Sequence, residues 1–584
     1  RQMSAEDSSH RWTEHLRNMS PTSQEYVRQD VHRLTGIDLR VLKEELNAAN
    51  DTWEREKLEA KNIKIIAKAT HEGLVRVHYK PPQMKSMIND VEKAIFENPR
   101  HDPVMGYGQA LVSVIQSHPQ TVREVEALGK ETYPLMPIIK AHRQDGLALR
   151  ISEDIFFFVY DFGKIKQIAP PPLLLRTMLE VSPERAPGLV GVLEHPAMNA
   201  NGEVICGQGY DRETGFFKRI PDELVPNLPD NITQKDAAQE LKWIVNNVCA
   251  DFPFATDIDL AGFLSLLLTA IQRRLLSGDE GCPGGGISAP VQASGKTALT
   301  QVLFQLVLGR SAAATTWVQD DVEMAKHLLA VLLEGHPAVL FDNLPEGGVI
   351  ESNELAKAMT SATYSGRVLG ENRKAVAPTN VLWLFTGNNV TPTGDFNTRV
   401  LLIYLDPNCE SPENRKFSRP DLAGWCANNR ARFFEAAITI LVGYYKARAA
   451  GKGVKIKPTR YRDWDMMIRE ALIWAGAADP AELFDKNKTE DPVVEGRRNL
   501  LAAWHEQFGD KPVTVANVIK RTSGGDNLFP SEDPLAKLKN AISDLLPHGR
   551  VTSKALGTTI SKFKGRWLDG FQLQAVGAQN GTKL

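Results

Sequence analysis

The sequence predicts a multidomain protein of the α/β class. At 584 residues the chain is too long for one ordinary domain, and its length predicts about three or four. Between residues 287 and 406 short apolar strands alternate with helices, which is typical of a parallel α/β core. Segments with helical periodicity lie on both sides of this core, and a strand-rich segment precedes it.

Changes in periodicity and composition predict five regions along the chain. Apolar residues recur at helical spacing in the first, whereas β-branched and aromatic segments such as IFFFVYD predict strands in the second. The glycine- and proline-rich residues 281–286 predict an irregular approach to the α/β core. The regions are a helical N-terminal domain (1–145), a β-rich domain or connector (146–229), the α/β core with a helical lead-in (230–412), a helical region (413–510) and a winged-helix-like domain (511–584).

Composition and charge exclude several classes of protein. The hydrophobic share of 42% and the charged share of 24% are ordinary for a globular protein. A net charge of -2 gives no strong overall attraction to nucleic acid or an anionic membrane, so any nucleic-acid surface would be local. The longest apolar run, residues 260–271, is too short to span a bilayer. The five cysteines lack disulfide or metal-site spacing and no secretory signal opens the chain, which predicts a cytoplasmic protein.

Residues 289–300, APVQASGKTALT, carry the clearest motif. Gly295, Lys296 and Thr297 match the phosphate-binding pattern G-x-x-x-x-G-K-[ST], whereas Pro290 replaces its first glycine. Backbone N–H groups of such a loop, and the start of the helix after it, attract phosphate. We expect Lys296 to reach the β- and γ-phosphates of ATP and Thr297 to bind Mg²⁺. The alternative is a chance Gly-Lys-Thr at a helix start. The predicted ATP-binding residues are Pro290, Ala293, Ser294, Gly295, Lys296, Thr297 and Ala298.

A second motif, HPAVLFDNL, is an apolar strand that ends in an acid. A carboxylate at a strand end can hold the water shell of Mg²⁺, which assigns Asp342 to the metal. Most such ATPases place a second acid next, as the base that orients water. This chain has Asn343 at that catalytic position, and an amide cannot take a proton. Glu346, Glu351 or Glu354 could serve instead, and the sequence does not choose among them. The alternative for Asp342 alone is an aspartate that caps a turn.

Two further polar positions complete the predicted catalytic set. The strand in NVLWLFTGNN ends in the amides of Asn388 and Asn389, and we expect Asn389 to contact the γ-phosphate or the attacking water. An asparagine-rich turn would also explain these residues. Arg399 precedes the strand of DFNTRVLLIYLDP, where an arginine can stabilise the transition state at a neighbour's γ-phosphate. The alternative is a surface arginine without a catalytic role.

Taken in order, these motifs resemble the superfamily 3 helicases of the AAA+ class, and especially the helicase part of primase-helicases from phages and other mobile elements. The resemblance rests on ASGKT, VLFDN, ELAKAMTSATYSGRVLGENRKAVAPTN, TGNN and GDFNTR. It implies an AAA+ P-loop ATPase core, a hexameric ring, ATP between subunits with Arg399 acting in trans, and basic hairpins that line a central pore. Pro290 and Asn343 depart from the pattern, and they bear on the rate of hydrolysis more than on ATP binding.

Two basic segments are candidate DNA contacts. Residues 366–374, GRVLGENRK, stand where the resemblance places the pore hairpin, although a solvated charged turn would also fit. The C-terminal end has a local positive cluster of the kind that backbone phosphates require. We expect Trp567 and Phe571 to fill the small core there rather than to stack on bases. The predicted DNA-binding residues are Arg367, Arg373, Lys374, Lys554, Lys562, Lys564 and Arg566.

Together these patterns predict an ATP- and Mg²⁺-dependent DNA helicase or translocase that works as a ring oligomer in replication of a phage or mobile element. One alternative is an ATP switch in defence or signalling, which Asn343 favours because a slow ATPase suits a switch. Another is a DNA-binding replication initiator that does not unwind. The first 280 residues show no clustered carboxylates of a polymerising site. The chain begins at Arg1 rather than methionine, so we expect any primase on a missing upstream segment or a partner.

Overall fold

The computed structural model describes most of the chain and divides it into two compact units. Unit 1 comprises residues 1–115 and 139–189, and unit 2 comprises residues 116–138 and 190–584. The boundary predicted between residues 145 and 146 lies inside unit 1. The described residues are 11–98, 100–117, 136–276, 281–311, 314–368, 374–409, 412–415, 417–523, 534–546, 551–565, 567–576, 578–579 and 582–583.

Unit 1 begins with helices and continues into two small sheets. Its second helix is bounded by Ser20, whose hydroxyl caps the first turn, and by Gly36, which adopts a left-handed φ of 75°. In chain order the elements are α1 (Arg11–Glu14), α2 (Pro21–Thr35), α3 (Leu39–His71), β1 (Val75–His78), α4 (Met84–Glu97), β2 (Met105–Tyr107), β3 (Ala110–Ser117), β4 (Met136–Ala141), α5 (Gln144–Ser152), β5 (Ile155–Asp161), β6 (Lys164–Gln167) and α6 (Pro172–Val181).

The first half of β5, at the centre of the sheet β1–β5–β6, is buried on both faces. Strand β1 lies parallel to β5, and β6 pairs antiparallel with β5. Phe157 joins one buried cluster with Val77, whereas Phe156 and Phe158 pack with Ile65 of α3 on the opposite face. The prediction of a helical domain over residues 1–145 is therefore wrong for β1 to β4. Short strands of alternating polar and apolar residues fit a helical period as well as a strand period over so few positions.

The first part of unit 2 agrees with the strand and helix patterns of the sequence. Strand β10 pairs antiparallel with β11, which lies parallel to β7. Thr233 caps the first long helix through a capping box with Asp236, which explains where that helix begins. The elements are β7 (Gly191–Leu193), β8 (Ala197–Met198), β9 (Val204–Ile205), β10 (Gln208–Tyr210), β11 (Phe216–Arg219), α7 (Gln234–Ile244) and α8 (Asp257–Gln272).

The centre of unit 2 is a five-stranded sheet in the order β13-β14-β18-β12-β20, and all its strands are parallel. The predicted parallel α/β core is confirmed. Because parallel strands all end at one edge, the residues that follow them come together there. The elements are β12 (Gly284–Ala289), α9 (Lys296–Leu308), β13 (Ala314–Thr315), α10 (Asp321–Glu334), β14 (Ala338–Leu344), β15 (Val349–Ile350), α11 (Asn353–Ala358), β16 (Thr363–Arg367), β17 (Lys374–Pro378), β18 (Leu382–Asn388), β19 (Thr391–Pro392) and β20 (Val400–Tyr404).

Strand β12 begins with three glycines, which are the last residues of the glycine- and proline-rich approach to the core. A Cβ atom on Gly285 would lie 2.2 Å from Leu266 Cδ1 of α8. One on Gly286 would lie 2.9 Å from Leu402 Cδ1 of β20. Glycine is a poor strand former, but it allows this close packing on both faces of the strand.

Helices follow the sheet, and a small hairpin follows the helices, as the sequence predicted. Leu500, Leu538, Ile542 and Leu556 form the core of the last helices. No helix in the described ranges has both the length and the apolar character to cross a membrane. The elements are α12 (Leu422–Asn428), α13 (Arg430–Ala449), α14 (Arg462–Trp464), α15 (Glu470–Trp474), α16 (Glu482–Thr489), α17 (Pro492–Phe508), α18 (Val515–Ser523), α19 (Pro534–Leu545), α20 (Ser553–Ser561), β21 (Trp567–Leu568), β22 (Phe571–Gln572), β23 (Ala578–Gln579) and β24 (Thr582–Lys583).

Candidate nucleotide site and nucleic-acid surfaces

The loop between β12 and α9 turns sharply in front of the helix. Ala293 has a φ of 58° and Gly295 a φ of 99°, so two residues adopt left-handed backbone within three positions. Glycine reaches this region without strain, which explains Gly295. The buried Ser294 donates a hydrogen bond from its hydroxyl to the carbonyl of Val291 at 2.7 Å, which closes the loop on itself. The amino end of α9 therefore faces the loop, in the arrangement that binds phosphate.

Lys296 is held at the carboxyl edge of the sheet. Its Nζ atom donates to Asn388 Oδ1 at 2.6 Å and to the carbonyl of Val291 at 3.2 Å. Burial lowers the pKa of Lys296, and the negative charge of Asp342 opposes that shift. The ammonium, a strand-end carboxylate and a strand-end amide thus lie together, as the sequence predicted for Lys296 and Asp342.

Asp342 and Thr297 are the residues that fit a magnesium ion. Asp342 accepts a short hydrogen bond from the hydroxyl of Thr386, which fixes the carboxylate at the end of β14. Thr297 and Ala298 are exposed in the first turn of α9. No group of three or more His, Cys, Asp or Glu side chains able to hold a metal occurs in the described part of the chain. A single carboxylate and a hydroxyl suit Mg²⁺, which takes its remaining ligands from water and nucleotide phosphates.

Asn343 has a backbone explanation that the sequence alone did not provide. Its φ is 55°, and the pairing of β14 with β18 shifts register between Phe341 and Leu344. Its N–H donates to Thr386 Oγ1 at 2.9 Å, while its side chain is exposed. Asparagine is one of the few residues that tolerate this left-handed conformation at a bulge. The identity of Asn343 therefore follows from the bend in the strand, and its catalytic role stays a prediction.

The two amides after β18 lie in different places. Asn388, the last residue of β18, is the one that contacts Lys296. Asn389, which the sequence singled out, has a φ of 50°, and its side chain lies between Pro290 and Tyr404. It donates to the carbonyl of Pro290 and accepts from the Tyr404 hydroxyl, each at 3.4 Å. The left-handed φ of Asn389, which the sequence does not reveal, separates the two amides.

The structure also separates the three glutamates that the sequence left open. Glu346 lies in a turn whose next residue, Gly347, donates its N–H to the Asn388 carbonyl at 2.9 Å. Glu351 instead accepts from Thr393 Oγ1 at 3.2 Å and lines a cleft of about 280 Å³ with Arg399. Glu354 accepts from the Tyr364 hydroxyl at 2.6 Å. Of these three glutamates, Glu346 is the one whose neighbouring backbone is hydrogen-bonded to Asn388, the residue that contacts Lys296.

Arg399 lies at the opposite end of the sheet from the loop. Its guanidinium is almost fully buried, bonds to Asp395 Oδ2 at 2.7 Å and to the carbonyl of Ala356 at 3.2 Å, and has an Nε that donates to no described residue. Strand β20 begins directly after Arg399, beside the first residue of β12. The loop follows the last residue of β12, ~16 Å further along at 3.3 Å per residue. Arg399 is therefore placed away from the nucleotide loop of its own chain.

The predicted basic hairpin is present. Strands β16 and β17 pair antiparallel, and their last described pair joins Arg367 to Lys374, both exposed. Arg373 lies outside the described residues. Gly366 lies within β16, where a Cβ atom would meet Leu329 of α10 at 3.3 Å. The hairpin therefore packs against α10, and in the chain it lies between the strands that carry Asp342 and Asn388.

The C-terminal lysines are exposed as predicted. Lys554 lies in the first turn of α20, and Lys562 and Lys564 follow the end of that helix. Arg566 lies outside the described residues. Trp567 was expected to fill the core, and that prediction is wrong, because the side chain is 70% exposed.

A groove of about 790 Å³ lies beside the C-terminal hairpin of β21 and β22. Lys554, Lys564 and Trp567 contribute to its lining. Phe571 is half-buried against the small core, and its ring lies 5.0 Å from that of His505. Of the two aromatic residues in this hairpin, Phe571 therefore packs against the core and Trp567 is exposed to solvent. Cationic and aromatic groups at one groove are the combination that nucleic acids require.

No protein-family model matches the chain, and a comparison with curated proteins found no match. Among solved structures, the C-terminal region of NrS-1 is similar over 72% of this chain and 90% of its own, with 12% identity and a TM-score of 0.33. Cch of SCCmec type IV, described as an active helicase, is similar over 71% and 87% with 11% identity and a TM-score of 0.29. The JCV helicase covers 44% of this chain, at a TM-score of 0.17.

Proposed function

We propose that this protein is an ATPase of the AAA+ class that couples ATP hydrolysis to the translocation or unwinding of DNA. The observation that carries the proposal is the cluster at the carboxyl edge of the sheet, where Lys296 bonds to Asn388 beside the carboxylate of Asp342. A glycine-bearing loop at a helix start, a lysine and a strand-end acid are the parts that phosphoryl transfer needs.

Each residue of the cluster has a distinct task in this proposal. Lys296 neutralises charge on the β- and γ-phosphates, and its lowered pKa reflects a partly dehydrated position in which an anion is a favourable partner. Thr297 and Asp342 hold Mg²⁺, which supplies charge neutralisation at the phosphates when it is bound. When phosphate binds, Asn388 either loses its hydrogen bond to Lys296 or keeps it while Lys296 also contacts the phosphate. Asn389, whose side chain lies near Pro290, contacts the γ-phosphate in this proposal.

Glu346 is the base in this proposal. The usual position of the second acid is occupied by Asn343, whose side chain is exposed on a bulge. Glu351 and Glu354 are engaged elsewhere, with Thr393 and Tyr364 respectively. Glu346 is exposed and lies beside the backbone of Asn388, so its carboxylate is the one free to accept a proton from a water at the γ-phosphate.

A ring oligomer completes the site. Arg399 lies too far from its own loop, and a ring would bring it to the loop of the next subunit, where it would stabilise the transition state. A hexamer is the assembly that the resemblance implies. The hairpin of β16 and β17, with Arg367, Arg373 and Lys374, would then contact DNA in the pore. Lys554, Lys562, Lys564 and Arg566 would hold DNA through the winged-helix-like domain.

Replication of a phage or other mobile element is the biological role that the resemblance favours, with primase activity on an upstream segment or a partner. A second candidate is an ATP switch in defence or signalling. One observation favours it: the bulge at Asn343 removes the usual acid, and slow hydrolysis suits a switch. A DNA-binding initiator without unwinding activity is a third.

One experiment distinguishes these functions. The ATPase rate of the full chain is measured with and without single-stranded DNA, followed by strand displacement on a forked duplex. A helicase shows DNA-stimulated hydrolysis and displacement that requires ATP. A switch hydrolyses slowly whether or not DNA is present. An initiator binds DNA and responds to ATP without displacing a strand.

A further inference from the structure

The tip of the β5–β6 hairpin in unit 1 carries an aromatic residue that the fold does not explain. Asp161 and Lys164 pair with each other, so Phe162 and Gly163 form a two-residue loop. Both have positive φ, 45° and 78°, as a type I′ turn requires. Asparagine is the residue favoured at the first of these positions, whereas a bulky side chain there is an outlier. Phe162 is also 95% exposed, so neither backbone geometry nor burial accounts for it.

A row of aromatic rings lies on one face of the sheet and leads toward the hairpin tip. His78 of β1 stacks on Phe158 of β5, with ring centroids 5.0 Å apart and planes 13° from parallel. Tyr160 meets His78 edge-on at 5.0 Å and is 53% exposed. Helix α3 covers this face at Phe158 but leaves Tyr160 open. Phe158 and Tyr160 share this face because they are two positions apart in one strand, and Phe162 follows Tyr160 in the turn.

Charge around the row is positive. Arg76 of β1 pairs with Phe156 and lies on the face of the row, and the exposed Lys80 follows two positions after His78. Lys164 and Lys166 pair with Asp161 and Val159, so they lie on the opposite face of the hairpin. Burial and the neighbouring Lys80 lower the pKa of His78, so its ring is neutral near neutral pH. Helix α3 holds the hairpin in place, because the Asn62 amide donates to the carbonyl of Gly163 at 2.8 Å and accepts from the N–H of Ile165 at 2.9 Å.

We propose that Tyr160 and Phe162 form a stacking platform for the bases of an unpaired nucleic-acid strand, whose phosphates contact Arg76 and Lys80. Exposed aromatic rings beside cationic groups bind single strands without sequence preference, because every base has a flat face. An apolar protein partner would not need the cations of Arg76 and Lys80 beside two rings. The platform residues belong to unit 1, whereas the hairpin and the C-terminal surface proposed above for DNA belong to unit 2.

Photochemical crosslinking of the full chain tests the platform directly. Short iodouracil-substituted oligo-dT and oligo-U strands are the probes, and crosslinked peptides are identified by mass spectrometry. We expect crosslinks to residues 155–167 with one or both probes, and none when the same strand is annealed into a duplex, because stacked bases are then unavailable. Crosslinks that form only elsewhere in the chain, or equally with the duplex, would overturn the proposal.

Phe162→Asn separates binding from folding. Asparagine suits the left-handed position, so this variant should melt about 2 °C higher than the parent. Its crosslink yield at residues 155–167 should nevertheless fall about tenfold, as should that of Tyr160→Ala, because each loses a stacking ring. Leu149→Ala, which removes another exposed apolar side chain of unit 1, should leave the yield unchanged. A Phe162→Asn protein that melts higher and crosslinks like the parent would show that Phe162 contacts no nucleic acid.

Discussion

The two ends of the five-stranded sheet differ in how complete they are. At the carboxyl end, Lys296, Asp342 and Asn388 interact within one chain, and the loop before them is already closed. At the amino end, Arg399 is buried against Asp395 and the carbonyl of Ala356, and it faces no phosphate-binding element of its own chain. In the function proposed above, one chain therefore supplies a nearly complete nucleotide-binding half. The arginine acquires a catalytic task only if a second chain presents its own carboxyl end.

Lys296→Ala should have the largest effect. Without its ammonium the β- and γ-phosphates stay under-neutralised, so we expect ATP binding to weaken greatly and hydrolysis to become almost undetectable. Nucleotide binding by fluorescent analogue and phosphate release measure the two steps. Lys326→Ala, which removes an exposed lysine on α10, is the matched control. Undiminished turnover in Lys296→Ala would exclude the carboxyl end as the nucleotide site.

Arg399→Ala should have the second-largest effect, and it should reduce hydrolysis without reducing ATP binding. We expect ATP still to bind while hydrolysis falls by about a thousandfold, since the arginine acts on the transition state. Mixing this variant with Lys296→Ala should restore part of the activity, because some interfaces then pair an intact Lys296 with an intact Arg399. The melting temperature of each variant controls for the buried ion pair with Asp395. Subunit exchange without any gain in activity would count against a site shared between chains.

Glu346→Gln should lower hydrolysis by about a hundredfold and leave ATP binding intact, since a general base contributes on that scale. Glu351→Gln and Glu354→Gln are matched controls on the same connection and should retain most activity. Because Lys296→Ala tests the site itself, the two results are separable. If hydrolysis is lost in Lys296→Ala but not in Glu346→Gln, the nucleotide site is correctly assigned and Glu346 is not its general base.

The double variant Arg373→Ala, Lys374→Ala should have the smallest effect on hydrolysis itself. Basal ATPase should stay at the parent level, whereas stimulation by single-stranded DNA and unwinding should disappear. DNA binding should fall only in part, because the C-terminal surface still contacts phosphates. Anisotropy, phosphate release and strand displacement measure these three properties. A double variant that unwinds like the parent would make the hairpin an ordinary charged turn.

The sequence was sufficient to predict those parts of the candidate site that short motifs define. The loop around Lys296 and the acid that ends an apolar strand are short motifs, and parallel strands bring them together, so their proximity at one edge was predictable. The choice of Asn389 over Asn388 was not, because a φ of 50° at the second residue turns its side chain toward Pro290. That angle depends on the neighbouring strands rather than on local residue preferences.

Packing across long distances in the chain explains the remaining differences. The three glycines of β12 form a strand because α8 and β20 pack closely against them, which no local propensity records. Trp567 is exposed although its residue type favours burial, whereas Phe571 packs against the small core. Arg373 and Arg566 lie outside the described residues, so their DNA contacts stay predictions.

The bulge at Asn343 also restricts how this chain could change its rate of hydrolysis over evolution. A glutamate at that position would take a left-handed backbone, at a cost of about 1–2 kcal/mol, and its side chain would point to solvent. Restoring the usual pair of neighbouring acids would therefore require the strand to lose its extra residue as well. An exchange and a deletion would both be needed, so under the proposed function a single substitution at Asn343 would not supply a second acid in the usual place.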